Sequence, residues 1–480
     1  MSGRVSYAQR LSVFDATMLV MGGIIGAGIF LNPAVVAQRV STPALVLGVW
    51  VLGGAVALAG AWCFAELGAR KPLAGGGYVY LRDAFGPLPA FLYGWTELLV
   101  INSGGIAAVS VTFATYTISL TGLPPAATAP LAIGAIALLS AINYLGIKPG
   151  SVAQNILTIL KLLALATLIV SGLLFAASAA PAVPVVSAVP PVSGIWSSVA
   201  AVGAALIPVL FAYGGWQSTN FVAGELKDAR RDLPRAIILG VVGVVLVYLL
   251  ANIAYLKVLG VSGLAASTAP ASDVMRAASG PAGATVIALG IAASTFGFLN
   301  LAILAAPRVY QTMAADGVFF GRAAELHPRF RAPAAALVIQ AGWAILLVAT
   351  RTYGQLLDYV VFGDWIFFGL VGATLFYYRA DSRDSGDSQD SRDSQDSRDS
   401  RDSRDSRDKA GFRMPLYPAV PIFFVLAAMF AVLSTVWSNP RNAALGVVLI
   451  GSGIPAFFLW RRASRRQPAS FNARGPGDVT

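Results

Sequence analysis

Two glycine-rich motifs interrupt long apolar segments of this 480-residue chain and could present backbone groups to a ligand. They are GGIIGAGIF at residues 22–30 and PVLFAYGGW at residues 208–216. Each glycine lowers helix stability by about 1 kcal/mol relative to alanine. A helix that opens there exposes N–H groups, which attract a carboxylate, and carbonyl groups, which attract an ammonium. One such break therefore offers complementary poles for a zwitterion.

The apolar segments around both motifs are long enough to cross the roughly 30 Å hydrocarbon core of a membrane. Open backbone persists in hydrocarbon only beside a polar cavity, because nothing else there can pair with it. Two glycine-interrupted spans in matching places of two halves therefore indicate the binding site of a secondary transporter. A packing face of small residues is an alternative that glycine alone does not exclude. A nucleotide-binding loop fits less well, because no strand precedes the first motif.

The second motif also carries side chains that suit a cavity. Pro208 and Gly214–Gly215 interrupt the helix, and four consecutive polar residues, 217–220, follow within the same span. Polar residues inside a span are costly unless they face a cavity. Phe211 and Trp216 beside them suit a gate that covers a ligand, and aromatic packing in the core is the alternative.

Lys161 is the most informative single residue. It lies about ten residues into its apolar segment, hence roughly 15 Å deep at 1.5 Å per residue. A lysine at the centre of a span costs roughly 2.5–3.5 kcal/mol, and intramembrane charges are functional candidates by default. Its ammonium could replace a metal cation electrostatically, or could itself gain and lose a proton.

The remaining polar residues exclude most enzyme chemistry. Glu66, Glu97 and Asp364 lie in or near apolar spans, and a structural role is favoured for each over substrate contact. With only one histidine, His327, and one cysteine, Cys63, neither a zinc site nor a nucleophilic triad can be assembled. The sequence therefore predicts a protein that is not an enzyme and has no metal, cofactor or internal disulfide.

These residues must be positioned by membrane helices. The chain is 56% hydrophobic and 12% charged, against about 25% charged residues in soluble domains. It is predicted to be an all-α integral membrane protein with about twelve transmembrane helices. The predicted spans lie near residues 13–37, 44–68, 87–117, 128–146, 151–176, 197–223, 234–257, 282–306, 333–350, 356–378, 417–437 and 441–460.

The distribution of basic residues predicts orientation. A formal charge of +11 could suggest a nucleic acid partner, but the basic residues lie at the ends of spans and form no single patch. With the N-terminus inside, the inner segments carry most of them, including Arg70, Lys148 and the cluster at 461–466. Cytoplasmic loops are enriched in Lys and Arg. A multi-pass protein of the cell membrane with both termini in the cytoplasm is therefore expected.

Between the tenth and eleventh predicted spans, residues 381–408 repeat Asp-Ser-Arg with few variations. Such a segment buries too little apolar surface to offset its chain entropy. Residues 380–410 are therefore predicted to form a disordered cytoplasmic linker, with a regulatory role as the less favoured alternative.

Taken together, several motifs resemble those of a known family. The chain resembles the amino acid–polyamine–organocation superfamily, and within it the L-type amino acid transporter-like branch. The motifs that carry this resemblance are IIGAGIF at 24–30, AELG at 65–68, GGGYVY at 75–80, FAYGGW at 211–216, LPRA at 233–236 and STFG at 294–297.

The resemblance implies a particular architecture. Residues 1–379 would form a 5+5 inverted-repeat core of the LeuT type, with helices 1–5 near 13–176 and helices 6–10 near 197–378. Helices 1 and 6 would be the two broken ones. Two further helices would lie in 411–462, and 463–480 would form a cytoplasmic tail.

The resemblance also implies roles for individual residues. The substrate carboxylate would bind N–H groups around Gly26 and Gly28, the amine would bind nearby carbonyls, and Phe211 would be the gate. Lys161 would occupy the place that a sodium ion has in related symporters, which implies sodium-independent transport. The expected substrate site comprises Ile24, Gly26, Ala27, Gly28, Phe211, Gly214, Trp216 and Gln217, with Lys161 as the coupling residue.

The expected function is therefore the movement of neutral L-amino acids by exchange or proton-linked uptake. Ala27 stands where many relatives have a hydroxyl, and Gln217 where asparagine is common, so affinity and side-chain preference would differ. Cationic amino acids or polyamines, with Glu97 or Asp364 as counter-charge, are the alternative; a receptor or channel is a third. Animal members join a partner through a cysteine after the third helix, but the loop Leu120–Ala129 has none, so no disulfide-linked partner is expected.

Overall fold

The computed structural model describes residues 7–175, 195–350, 362–380, 411–438 and 440–466. These ranges are helical apart from short connections, and they contain no β-strand beyond an isolated bridge between Leu11 and Leu226. The α-helices are α1 Val13–Ile24, α2 Gly28–Ala37, α3 Pro43–Arg70, α4 Gly77–Phe85, α5 Pro87–Thr96, α6 Asn102–Thr121, α7 Thr128–Tyr144, α8 Ile147–Val170, α9 Ile195–Ala212, α10 Ser218–Phe221, α11 Ala229–Ala266, α12 Pro270–Ala305, α13 Pro307–Ala315, α14 Ala334–Thr350, α15 362–380, α16 Ala419–Ser438, α17 Pro440–Gly451 and α18 Gly453–Arg466.

Long apolar helices dominate this part of the chain. Among the described residues, eight helical segments are long and apolar enough to cross a membrane. The pair α1 and α2, bent by 41° at a short break, would make a ninth. The all-helical membrane class predicted from composition is therefore confirmed.

Local sequence explains how several helices begin and bend. Ser12 caps α1 in a capping box with Asp15, and Thr42 caps α3 with Pro43 at the first position. Such caps satisfy N–H groups that have no partner within the helix. In α11, Gly260 adopts φ 65°, a left-handed conformation that favours glycine and interrupts the helix.

Pro208 shows how a proline inside an apolar helix is accommodated. It lacks an N–H group, so the carbonyl four residues earlier, that of Ala204, loses its helical donor. The Arg39 guanidinium donates to this carbonyl instead. The carbonyl of Pro208 itself accepts a hydrogen bond from the Asn32 amide at 2.7 Å. Both contacts join α9 to the segment that contains α2.

The helices form one packed bundle. Helix α11 packs most extensively against α3 and α1, and α12 packs against α8 and α6. Small residues allow close approach: a Cβ at Gly240 would lie 2.5 Å from the Val20 side chain. Aromatic rings fill the centre, where Trp50 meets Tyr213 and Tyr248 edge-on at 5.7 Å. These contacts hold α1 and α9, the helices that carry the two glycine motifs, against α3 and α11.

Glu66 joins three separate segments at one end of α3. Its fully buried carboxylate accepts hydrogen bonds from Arg70, from Arg379 at 2.6 and 2.8 Å, and from the backbone N–H of Met414 at 2.9 Å. Because these donors neutralise a buried charge, the contacts agree with the structural role expected for Glu66. We call this group the Glu66 clamp.

Some predictions fall outside the described residues. The linker predicted at 380–410 is one, apart from Ala380, which ends α15. The tail predicted at 463–480 begins inside a helix, because α18 continues to Arg466. Its remainder lies outside the described part of the chain.

Candidate functional site

The first glycine motif separates two helices. Helix α1 ends at Ile24 and α2 begins at Gly28. Between them, the Gly26 N–H donates to the Ile24 carbonyl at 2.9 Å, which is a tight turn and not a helical bond. No side chain caps α2 at Ala27. The first N–H groups of a helix have no internal acceptor, so the positive end of α2 is available to an anion.

The second motif also separates two helices and contacts the first directly. Helix α9 ends at Ala212 and α10 begins at Ser218. Gly215 adopts φ 115°, and a Cβ there would lie 2.2 Å from the Gly23 carbonyl oxygen. Only glycine therefore permits this approach. The Gly215 N–H donates to the Gln217 side-chain oxygen at 2.9 Å, which closes the turn.

A cavity of about 140 Å³ lies between the two motifs. This is about ten times the space that one water molecule requires, so a small organic molecule can enter. Seven of the eight expected site residues line it, namely Ile24, Gly26, Ala27, Gly28, Phe211, Gly214 and Gln217. The cavity therefore adjoins the free N–H groups of α2 and the carbonyls at the end of α9.

Trp216 is the expected site residue that the structure places elsewhere. It is only 1% exposed and is not part of the cavity wall. Its ring packs against Phe64 at 4.8 Å and Phe368 at 5.4 Å. Neighbouring residues in a turn project in different directions, so Trp216 enters the aromatic core while Gln217 reaches the cavity.

Phe211 lies at the cavity, and much of its side chain is exposed. Its side chain is 44% exposed, in contrast to the buried aromatic residues Tyr213 and Trp216 that follow it. It sits in the last turn of α9, where the helix stops. A ring with this freedom can change rotamer without disturbing the core.

Lys161 closes the carbonyl end of α1. Its side chain is fully buried, and Nζ donates to the carbonyls of Gly22 at 2.9 Å and Ile25 at 2.6 Å. The Ser294 hydroxyl donates to the same Ile25 carbonyl at 3.2 Å. No carboxylate pairs with Lys161 within the described ranges. The partial negative charge at the end of α1 is thus the counter-charge of this ammonium.

Tyr248 links the two motifs, and sequence reasoning did not single it out. Its buried hydroxyl lies 3.0 Å from the Ile24 carbonyl and 3.2 Å from the Ala212 carbonyl. These are the last residues of α1 and α9. A tyrosine in an apolar span was the only available signal, because both partners are distant in sequence.

The cavity wall also includes polar side chains from other helices. Asn102 at the start of α6 and Asp364 in α15 both line it. The sequence favours a structural role for Asp364, and the structure places this residue in the cavity wall. Within the described part of the chain, no group of three or more His, Cys, Asp or Glu side chains could hold a metal ion.

Comparison with known proteins identifies the family. The sequence model of the family described as amino acid permease matches residues 11–459. The chain is 30% identical to the mouse b(0,+)-type amino acid transporter 1, over 95% of this chain and 88% of the relative. It is 28% identical to the serine/threonine exchanger SteT of Bacillus subtilis (94% and 96% covered). It is also 29% identical to the mouse large neutral amino acids transporter small subunit 2 (98% and 84% covered).

The match extends over nearly the whole chain and includes both glycine motifs. These relatives are transporters, and the described helices include many that could span a membrane. The chain is therefore a multi-pass membrane protein that belongs to the amino acid permease family, within the amino acid–polyamine–organocation superfamily.

Proposed function

We propose that this protein is a sodium-independent permease that moves neutral L-amino acids across the cell membrane by alternating access. The observation that carries this proposal is the cavity between two helix breaks, one of which has its carbonyl end bonded to Lys161. Movement is by exchange or is linked to protons. The amino acid transporters among its relatives support this class of substrate.

The backbone around the cavity would bind both ends of an amino acid. The carboxylate would take the N–H groups around Gly26, Ala27 and Gly28, at the positive end of α2. The ammonium would take carbonyl oxygens near Ile24 and Gly214. The Ile24 carbonyl already accepts from the Tyr248 hydroxyl and from the Gly26 N–H, which use both of its lone pairs. The ammonium would therefore replace the Gly26 N–H at this carbonyl, and that N–H would become free for the carboxylate.

The side-chain part of the cavity would set preference. Phe211, Phe298, Leu301 and Trp365 contribute apolar surface to the wall, which suits a neutral substrate. Phe211, exposed to the cavity, would close over the bound molecule. Ala27 offers no hydroxyl to the carboxylate, so this contact relies on backbone donors alone.

Lys161 would make sodium unnecessary. Its ammonium already neutralises the carbonyls of Gly22 and Ile25, and Ser294 lies against the same group. A sodium ion at this point would need those oxygens as ligands. The Lys161 ammonium would therefore take the place of a transported sodium ion.

The same proposal includes the architecture. We infer that α1 and α2 form broken helix 1, and that α9 and α10 form broken helix 6, of a 5+5 inverted repeat. About twelve transmembrane helices, with two beyond the core and both termini in the cytoplasm, would complete the protein. In alternating access, one repeat moves against the other around a binding site that the two broken helices form.

Cationic amino acids or polyamines remain the second candidate, and a single observation favours them. Asp364 lies in the cavity wall and provides a carboxylate there. Its position would suit a substrate that carries a positive charge on its side chain. Competition by arginine and putrescine, set against alanine and leucine, separates the two substrate classes.

Uptake of labelled amino acids into proteoliposomes tests the proposed function. We expect counterflow of neutral L-amino acids at equal rates with and without sodium. A sodium requirement, or binding without flux, would contradict the proposal. A thermal-shift screen of the twenty amino acids and several polyamines identifies the ligand, because ligands stabilise the folded state by about 2.7 kcal/mol at 100 times Kd.

A further inference from the structure

A second polar group lies behind the cavity wall, where α5 meets α6 through a single π-helical turn, Glu97–Ile101. The Asn102 amide lines the cavity and donates a hydrogen bond to the Glu97 carboxylate. Glu97 itself is 1% exposed. It is therefore separated from the cavity by one amide group. Turns of this type are rare and are frequent at functional sites.

Helix α15 brings a second carboxylate to the same place. A Cβ at Gly363 would lie 3.3 Å from the Thr96 side chain and 3.4 Å from that of Ile101. These two residues flank the π turn, and Gly363 directly precedes Asp364. The small size of glycine at position 363 thus allows Asp364 to lie against the turn that carries Glu97.

Two buried polar atoms around this pair lack a hydrogen-bond partner. They are the Asp364 Oδ1 atom and the hydroxyl of the fully buried Tyr310, as far as the described residues show. Both side chains lie within electrostatic range of Glu97. The Tyr93 hydroxyl is a hydrogen-bond partner of Glu97. A buried polar atom without a partner requires an explanation, and a bound proton provides one at Asp364.

No basic residue neutralises this pair. The ion pairs of the described residues include neither Glu97 nor Asp364. Among the described residues, the groups that face Glu97 are Tyr93 and Asn102 from its own segment, Tyr310 from α13 and Asp364 from α15, and none of these is a cation. Two neighbouring carboxylates cannot both remain ionised without one. A proton bound to one of them removes one of the two negative charges.

We propose that Glu97 and Asp364 form a proton-binding site that couples amino acid movement to proton entry. This inference rests on the proposed function and selects proton-linked uptake over exchange. Acidic side chains buried in membrane proteins commonly relay protons.

The cycle transfers one proton and leaves the protein unchanged. While the cavity is open to one side, a proton from that water binds to an Asp364 oxygen and removes the repulsion between this group and Glu97. When the cavity opens to the other side, this O–H bond breaks and the proton leaves with the amino acid.

The test uses the full-length protein in sodium-free liposomes that contain a pH-sensitive dye. Labelled L-alanine, L-serine and L-leucine are added outside, and proton entry is measured for each amino acid taken up. We expect a fixed ratio of protons to amino acids in the wild type. Glu97→Gln should reduce the ratio to near zero, whereas Glu97→Asp, which keeps a carboxyl group, should retain it.

Several outcomes would overturn the proton site. One is uptake of amino acids by the wild type without acidification of the liposomes. Another is an unchanged ratio of protons to amino acids in Glu97→Gln. A third is a sodium dependence of uptake that Glu97→Gln removes. Transport of arginine that is lost only in Asp364→Asn would make the pair a substrate subsite instead. Absence of all amino acid flux in the wild type would contradict the proposed function itself.

A second measurement does not depend on transport. Infrared difference spectra of the wild type at neutral pH should contain the band of a protonated carboxyl group. Glu97→Gln and Asp364→Asn should each remove it, while substitution of the clamped Glu66 by glutamine should not. A wild-type spectrum without that band would overturn the proton site even if a variant fails to fold in liposomes.

Discussion

The hydroxyl of Tyr248 lies 3.0 Å from the carbonyl oxygen of Ile24, the last residue of α1. The same hydroxyl lies 3.2 Å from the Ala212 carbonyl at the end of α9. A single side chain of α11 thus holds the ends of both interrupted helices. Any movement of one break relative to the other must stretch or break one of these contacts.

We expect Tyr248→Phe to reduce both stability and transport. It removes the donor shared by two buried carbonyls, and leaving buried polar groups unpaired costs about 1–3 kcal/mol. Thermal unfolding and counterflow in proteoliposomes measure the two effects. Tyr255→Phe is the matched control, since among the described residues the Tyr255 hydroxyl bonds one carbonyl, that of Ile29 at 3.2 Å. Equal transport by both variants would argue against a role for Tyr248 in joining the breaks.

Lys161→Ala should abolish most transport while the protein still folds. The change removes the cation from the carbonyls of Gly22 and Ile25, and in the part of the chain that the structure describes only Ile25 keeps another donor, the Ser294 hydroxyl. The unpaired Gly22 carbonyl costs about 1–3 kcal/mol. Counterflow should therefore fall sharply. Lys257→Ala is the control, because that exposed lysine donates to the Leu173 carbonyl and neither residue lines the cavity. Unchanged flux in Lys161→Ala would refute the coupling role.

Gly26→Ala should weaken substrate binding without unfolding the protein. A Cβ at position 26 would lie 3.6 Å from the Phe298 ring, which is ordinary contact distance, and would project near the expected carboxylate position. We expect KM to rise and the melting temperature to stay near that of the wild type. If KM stays the same, the carboxylate does not bind at this break.

Gly215→Ala should instead prevent folding. Its φ of 115° is strained for alanine, and the new Cβ would lie 2.2 Å from the Gly23 carbonyl oxygen. Expression of monodisperse protein in detergent tests this. Gly48→Ala is the matched control, since no atom lies within 4 Å of a Cβ there. A well-folded Gly215→Ala would mean that the two breaks are not in contact.

Phe211→Ala should impair transport more than stability. The ring is 44% exposed, so little buried apolar surface is lost, yet the proposed gate over the substrate disappears. We expect a higher KM and a lower rate of counterflow. Leu239→Ala, at a position 60% exposed on α11, provides a control for loss of an exposed apolar side chain. If the two variants transport alike, Phe211 is not a gate.

Sequence reasoning was strongest where a local physical rule applies. Composition and apolar length predicted an all-helical membrane protein, and the motifs predicted its family; both predictions are confirmed. Glycine propensity pointed to the segments around Gly26 and Gly215, where helices end in the structure. Depth in an apolar span singled out Lys161, which lies buried against the first break.

Contacts between distant segments could not be predicted in this way. Tyr248 bonds a carbonyl 224 residues away, and no local pattern specifies that partner. Trp216 follows a sharp turn, so its direction depends on tertiary packing against Phe64. From the sequence, Asp364 was expected to have a structural role, because its neighbours in the sequence are apolar. Its place in the cavity wall depends on the packing of Gly363 against the π turn.

The Glu66 clamp has an evolutionary consequence for the Asp-Ser-Arg repeats. Arg379 precedes the repeats and Met414 follows them, yet both bond the same carboxylate. The residues on the two sides of the repeats are therefore held together by one carboxylate. Since closing a loop costs only about 0.6 kcal/mol more for each doubling of its length, the number of repeats can change while the flanking helices keep their places.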